Sequence, residues 1–594
     1  MLRYFFSAIL FLSVSIPALA QDELARNYVE QGAYEKAALT YKELLKDSPT
    51  NANYIHALVS VYHQLADYKK AEIFLQEAIK LSKNNKTLLV DLGYTYQLQG
   101  NQEMAKKYYD EAIASVSENA GYAYQIGNAF QSYSLLDEAV KAYTDASKLN
   151  PNFNFESSLA RIYGEQGKIE KMLNTYLDLI LKDEKNESIA QRYFNEFITE
   201  DSENEANQIF KKILLTRMQE DPNLLYNRKL SWLFIQQKEY NKAFLQEKAI
   251  AKRSNNELLG VLKLADVTLE NDENELAITI LNYIIENTLS DDLKLFANIK
   301  ILELRVKTAE TSDLDGIKVS YKKLLEEYGT SAATLDLQTD YAHFLAFHKK
   351  EQKEAAAFLE ESLKLKLSSF QQARVKMELA DILVLEERFN AALIYYSQVQ
   401  KMLPNDPIAQ EARFKVAQTS YYKGDFEWAK TQLKVLKSSA TQLIANDAQD
   451  LYLLITDNSL EDSTQVGLKS YAHAALLRFQ NKEQEALAVY DRLLISEKGK
   501  SIEDEVLLAQ ALLYEKNKEF SKAEQNYLKI IEFYRDDILA DDAYYNLGNL
   551  YATVLKDSEK AKAQYEQIIF NFADSIFYVE AQQKYRKLRG DAIN

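Results

Sequence analysis

Residues 32–49 read GAYEKAALTYKELLKDSP. A small residue is followed by a tyrosine, an alanine pair, a second tyrosine and a leucine pair, and a proline closes the stretch. Ala37, Tyr41, Leu44 and Leu45 share one face of a 3.6-residue period, with lysines and glutamates between them, so the stretch predicts an amphipathic helix. The same pattern returns at a fixed step. One constant interval separates Ala37, Ala71, Ala105 and Ala139, and each is followed four residues later by an aromatic or a leucine. Upstream, Tyr62, Tyr96 and Phe130 keep the same step, and Gly93 and Gly127 stand three residues before the last two. Gly32 and Gly100 fall five residues before their alanines, where one helix must turn into the next. Pro49 and Pro151 fall twelve after, where the second helix must stop.

The period therefore predicts a two-helix unit. Small residues such as Gly127 and Ala139 let the two helices approach, and Phe130 and Tyr143 fill the space between them and the next unit. A unit of this kind has an apolar face that it cannot bury alone, so neighbours must stack. Less regular copies follow. One keeps Gly167 and Tyr176 but has Met172 in place of the alanine, and residues 187–222, with Ala206, are irregular. Ala243 and Ala277 return to the original step. The stretch from Ala277 to Ala356 is long enough to predict two longer units, one of them over LDGIKVSYKKLLEEY. Ala392, Ala429, Ala486 and Ala523 continue the series, and the wide gap between Ala429 and Ala486 predicts an extra helix within 440–457. The final ADSIFYVEAQQKYRKLRG reads as a closing helix.

A helix–turn–helix unit of about 34 residues resembles the tetratricopeptide repeat family. The likeness is clearest over 22–151 and over 541–569, where Tyr545–Tyr551 carries a Y-N-L-G-N-x-Y core. It implies an all-α, right-handed superhelical solenoid of about 13 units. The expected organisation is a regular array over 21–186, degenerate repeats over 187–370 and a C-terminal array with a capping helix over 371–594. The C-terminal turns, LPNDPIAQEA and NFADSIFYVEA, are similar to those of periplasmic outer-membrane assembly and envelope-coordination proteins. The chain departs from the assembly lipoproteins in its length and in having no cysteine to carry a lipid.

Composition narrows the function. Only 15 glycines and 6 prolines in 594 residues suit long helices joined by short turns. A formal net charge of −17 disfavours nucleic acid and anionic membrane surfaces as partners. The absence of cysteine removes disulfides, thiolate nucleophiles and Cys-ligated zinc. At the N-terminus, Arg3, an apolar run from Tyr4 to Ile16, a proline and Ala18-Leu19-Ala20 read as a signal peptide over 1–20, with an N-terminal anchor as the alternative reading. The expected location is the periplasm of a double-membraned bacterium, in soluble form and not lipidated at Gln21.

No catalytic pattern is present. The five histidines, His56, His63, His343, His348 and His473, form no H-E-x-x-H or i, i+4 metal pair. No phosphate-binding loop, G-x-S-x-G or G-x-G-x-x-G appears. The expectation is therefore no enzyme activity, no cofactor and no metal. In the tetratricopeptide family, partners are held on the concave face by fixed positions of each first helix. Carried onto units two to four, these positions fall on His56 and His63, then Tyr94 and Gln97, then Tyr124, Asn128 and Gln131. Tyr545 and Asn549 form a second candidate. These polar and aromatic residues suit a peptide backbone or a glycan. The expected role is a non-enzymatic scaffold that binds other envelope proteins or peptides. The alternatives are a glycan- or peptidoglycan-binding module, or an accessory subunit of an envelope enzyme or secretion complex.

Overall fold

The computed structural model describes residues 21–150, 154–255, 257–436, 442–460 and 465–591. The leader at 1–20 and Pro151 lie outside the described residues. Helices joined by short turns make up the described chain, with no strand among the described residues. Two compact units divide it, 1–272 and 273–594. Unit 1 holds seven consecutive helix pairs, from 21–30 with Tyr34–Asp47 to Leu224–Gln236 with Tyr240–Arg253, and ends on Leu259–Glu270. Unit 2 begins with Asn274–Asn287 and also holds seven pairs, from Asp291–Thr308 with Leu314–Tyr328 onward. The described residues therefore contain more pairs than the number of units expected from spacing. The irregular stretches around Ala206 and Ile317 also fold as full pairs.

One local rule governs most of the turns. In unit 1, Gly32, Ala66, Gly100, Ser134, Gly167 and Lys238 have positive φ; in unit 2, Lys350, Glu387, Gly424, Asn481, Lys518 and Lys556 do. Each is a single left-handed residue between a first and a second helix. Five residues later comes the small or apolar residue that is fourth in the second helix, as Ala71 is in Tyr68–Leu81 and Ala139 in Leu136–Leu149. Glycine adopts this conformation without strain, but most of these turns impose it on another residue. The same rule corrects one register. Lys350 and the helix Gln352–Ser362 place Ala355, fully buried, in the position expected for Ala356, which lies beside it in the core.

Packing follows from that register. Four residues beyond the small position, Tyr143, Tyr176, Tyr321, Tyr396, Tyr490, Tyr527 and Tyr565 are among the largest fully buried side chains. The facing glycines admit these rings. A Cβ on Gly127 would lie 2.2 Å from Tyr143 Cζ, one on Gly93 2.4 Å from Tyr109 Cε1, and one on Gly548 2.7 Å from Tyr565 Cε1. An ordinary carbon contact is about 3.5–4.0 Å, so these approaches have no room for a methyl group.

Unit 2 departs from simple neighbour stacking. The extra helix spans Gln442–Leu460 and packs on Phe426–Leu436. After it, Val466–Phe479 packs back on Pro407–Lys423. Its end reaches still earlier repeats. The Phe479 ring stands 5.8 Å from Phe347 and 6.0 Å from Tyr422, and Gln480 Nε2 donates to the Leu385 carbonyl at 3.0 Å. The closing helix, Tyr578–Arg589, buries only Ala581 fully and presents mostly polar residues outward, as a terminal cap requires.

Candidate binding groove

Three consecutive first helices of unit 1, Ala52–Gln64, Thr87–Leu98 and Tyr122–Ser132, bring the predicted residues to one face. At the centre is an acid that the family positions do not include. The Asp91 side chain is 2% exposed, and its Oδ2 lies 2.7 Å from His56 Nδ1. Its Oδ1 accepts from the Tyr133 hydroxyl at 2.8 Å. Tyr133 stacks on Tyr94 at 4.0 Å between ring centroids, and the His63 ring meets the edge of Tyr94 at 5.5 Å. His56, His63, Tyr94 and Tyr133 thus surround one buried carboxylate.

Burial and Asp91 shift the two histidines in opposite directions. Burial alone would lower the His56 pKa, but the hydrogen bond to Asp91 and its negative charge outweigh that and raise it above the ordinary imidazole value. Burial lowers His63, and Asp91 offsets this only in part. Asp91, His56 and the Thr87 hydroxyl (3.1 Å from His56 Nε2) are spaced as an acid, a base and a nucleophile would be. Their polarity is wrong for that role. The Thr87 proton is donated to Asn85 Oδ1 at 2.6 Å, so the Thr87 oxygen accepts from His56, which cannot then act as its base. In the same way, Thr95 donates to the Asp91 carbonyl at 2.7 Å and accepts from His63 Nε2 at 2.9 Å. Nε2 of His63 therefore carries a proton, and burial favours the neutral ring. Among the described residues, no group of acids and histidines is arranged to hold a metal ion.

The remaining predicted residues divide by exposure. Tyr124 is 59% exposed, and Gln125 and Asn128 beside it also face solvent. Gln97 accepts from the Tyr109 hydroxyl at 3.0 Å, and Asn128 from the Tyr143 hydroxyl at 3.1 Å. Gln131 donates to that hydroxyl at 3.2 Å and accepts from Arg161 at 2.5 Å. These amides carry part of the scaffold's own hydrogen bonding, which leaves Tyr124 as the freest ring on the face.

Comparison with known proteins finds a family likeness in two stretches of the chain. Residues 52–85 and 87–115 match one model described as tetratricopeptide repeat, and residues 542–575 match another of the same description. These two stretches are similar to tetratricopeptide repeats. No curated protein matches it. Among solved structures, a chain of the Naa15/Naa10 assembly bound to HypK-THB is 14% identical, with 96% of this chain and 97% of that one covered and a TM-score of 0.31. A chain of the APC/C hetero-tetramer Cut9-Hcn1 is 13% identical, with 95% of each covered and a TM-score of 0.25. Likeness at these scores says nothing about partners.

The two repeats at 52–115 thus supply most of the groove. The third matched repeat holds the second candidate, whose surroundings differ. Tyr545 is only 9% exposed and stacks on Phe577 at 4.2 Å. Lys584 of the closing helix donates to the Tyr545 hydroxyl at 2.9 Å and to Asn549 Oδ1 at 2.7 Å. Asn549 also accepts from Tyr565 at 2.8 Å. The cap therefore covers this stretch of first helix. Sequence reasoning missed Asp91, Thr87, Thr95 and Tyr133. Asp91 did leave a signal, as the lone charge in the otherwise uncharged helix TLLVDLGYTYQL. Tyr133 left none, because the positions one and two steps earlier hold Gln99 and Leu65.

Proposed function

We propose that this repeat protein is a non-enzymatic scaffold of a bacterial cell envelope. In this reading it is exported to the periplasm by its N-terminal leader, and it holds an extended segment of a partner protein along the groove of repeats two to four. The observation that carries the reading is the convergence of His56, His63, Tyr94 and Tyr133 on buried Asp91, beside the exposed ring of Tyr124. Aromatic rings backed by satisfied polar groups give large, rigid contact area at low entropic cost. The inverted polarity of Thr87 and His56 argues against hydrolysis at the same place.

The test is site-specific crosslinking in the native host. A photo-crosslinker at Tyr124 should trap a small set of defined envelope proteins, and one at exposed Leu39 on a second helix should not. The Tyr94→Ala, Tyr124→Ala and Asn128→Ala variants should weaken capture while helical circular dichroism is retained. Equal trapping from both positions would remove the groove assignment. A thermal shift with purified wall glycan alone would favour the glycan-binding alternative.

A further inference from the structure

Three consecutive turns of unit 2 lead from one helix pair to the next. They join Glu483–Ser496 to Ile502–Lys516, Phe520–Phe533 to Ala540–Asn549, and Ser558–Asn571 to Tyr578–Arg589. Side chains tie the turns together along one edge. Tyr534 of the second turn donates to Glu503 Oε2 beyond the first at 2.7 Å, and the Phe572 ring of the third stands 5.7 Å from Tyr544 beyond the second. Large apolar side chains crowd in and beside the same turns. Ile495, Ile576 and Phe570 are 81%, 79% and 74% exposed, and Phe533, Val579 and Ile538 are each more than half exposed. Ile538 and Ile576 hold equivalent places, each two residues before the next helix begins. Their neighbours do the packing instead, as Phe577 does by stacking on Tyr545 at 4.2 Å. A single exposed aliphatic is ordinary on a protein surface, but several on adjoining turns form a patch of the kind that marks an interaction site.

Carboxylates surround the patch. Residues 497–505, 534–542 and 572–580 hold ten acids against three cations, Lys498, Lys500 and Arg535. Lys500 pairs with Glu497 at 2.8 Å, and among the described residues no salt bridge engages Asp536, Asp537, Asp541, Asp542 or Asp574. The first turn of a helix favours an acid, but Asp536, Asp537 and Asp574 lie between helices, where the helix dipole does not account for them. Burial, with the charge of Asp541 acting on one and that of Asp537 on the other, pushes Asp542 up to about 7 and Asp504 up to about 6. A second copy of the chain would bring like charges together across this edge, and an anionic membrane would do the same. A cationic polypeptide would relieve them.

We propose that this edge of unit 2 docks a partner polypeptide whose aliphatic side chains cover Ile538, Phe570, Ile576 and their apolar neighbours and whose lysines or arginines meet the carboxylates of the turns. The apolar contact supplies affinity, and the acidic rim selects the sign of the partner's charge and speeds its approach. The surface is built from turns rather than from the faces of first helices. It stands whether or not the groove of repeats two to four holds a partner.

Fluorescence anisotropy with the full chain tests it, using three labelled peptides: a helical peptide of Leu-Lys-Lys-Leu repeats, the same peptide with glutamate for lysine, and the same with serine for leucine. At physiological salt the lysine–leucine peptide should bind about tenfold more tightly than either of the others. The double variant Ile538→Ser with Ile576→Ser should weaken that binding about tenfold without lowering the melting temperature, because both residues already face solvent. Asp536→Asn with Asp537→Asn should weaken it less and reduce its dependence on salt. Leu39→Ser with Ile73→Ser, a comparable loss of exposed apolar surface in unit 1, should leave it unchanged, as should Tyr124→Ala in the groove. Equal binding of the three peptides, no binding by any, or binding that survives Ile538→Ser with Ile576→Ser would overturn the proposal. So would a dimer of the chain seen by sedimentation, or flotation with phosphatidylglycerol vesicles, that this double variant abolishes, since either would give the edge to a different occupant.

Discussion

Asp91→Asn isolates the electrostatics of the unit 1 groove. In the wild type, a carboxylate 2.7 Å away raises the pKa of His56, and the His56 side chain is 36% exposed while that of Asp91 is 2% exposed. Exposure on one side screens the pair, so its contribution should be about 1 kcal/mol rather than the several expected of a fully buried pair. Asparagine can still accept from Tyr133, but its amide turned toward His56 opposes a protonated ring. His56 then keeps only the burial that lowers His63, and its pKa should fall below the ordinary value. The sign follows from linkage. A histidine raised in the fold adds stability that is fully present below its unfolded pKa and is lost as pH rises through the folded value. The wild type should therefore exceed the variant by about 1 kcal/mol at pH 6 and by little at pH 9. Two measurements check this. Histidine ring NMR should show His56 titrating above His63 in the wild type and the difference collapsing in Asp91→Asn. Hydrogen exchange in Ala52–Gln64 and Thr87–Leu98 should report a stability gap that closes with pH. A gap of equal size at pH 6 and pH 9, or His56 titrating below His63 in the wild type, would refute the assignment of His56 as the charged partner of Asp91.

Four further outcomes are expected. Gly127→Ala drives a methyl group to 2.2 Å from Tyr143 Cζ and should cost about 1–3 kcal/mol, whereas Gly316→Ala, with open space around it, should gain up to about 1 kcal/mol; denaturation of both variants compares them directly. Ala66→Gly relieves a left-handed alanine (φ 54°) and should stabilise its turn by about 1 kcal/mol, read as slower exchange in Tyr68–Leu81. Glu247 fills a core position beside Gly260, and burial raises its carboxyl pKa; Glu247→Gln should raise the melting temperature at pH 7, with the gain vanishing toward pH 4. Burial and the neighbouring Asp504, Asp542, Asp457 and Asp450 push Glu505 up to about 8, so the stability of Ile502–Lys516, read as exchange protection relative to the unfolded chain at the same pH, should be greater at pH 6 than at pH 8.5, and Glu505→Gln should flatten that difference.

The fold was legible because its signals are periodic. One alanine at each step of the repeat, with a ring four positions later, places both helices of a unit. The turns were legible only where glycine occupied them. Ala66, Lys238 and Lys518 adopt the same left-handed conformation under pressure from the flanking helices, and nothing in their chemistry announces it. The wide gap after Ala429 predicted a helix in nearly the right place, and Gln442–Leu460 fills it. That Phe479 and Gln480 would reach back to Phe347 and Leu385 was not legible, since contacts across such separations depend on the path of the intervening repeats. The groove residues illustrate a different limit. Gln97, Asn128 and Gln131 occupy the positions from which family members contact partners, yet here they also serve the core tyrosines.

That dual use indicates where recognition should be sought. A polar first-helix residue that accepts from Tyr109 or Tyr143 cannot be exchanged freely, because its loss leaves a buried hydroxyl unpaired. Such positions are held by the scaffold and carry little information about a ligand. Information about a ligand lies where the rule is broken. Asp91 puts a carboxylate into an otherwise uncharged helix and reorganises His56 and Tyr133 around it. Glu247 replaces a core ring with an acid. At Tyr490, Ala475 and Arg478 replace acceptors with none. The last two departures cost local stability, since they bury an acid or leave a hydroxyl unsatisfied, and an array of stacked repeats can absorb such a cost in one unit while its neighbours stay folded.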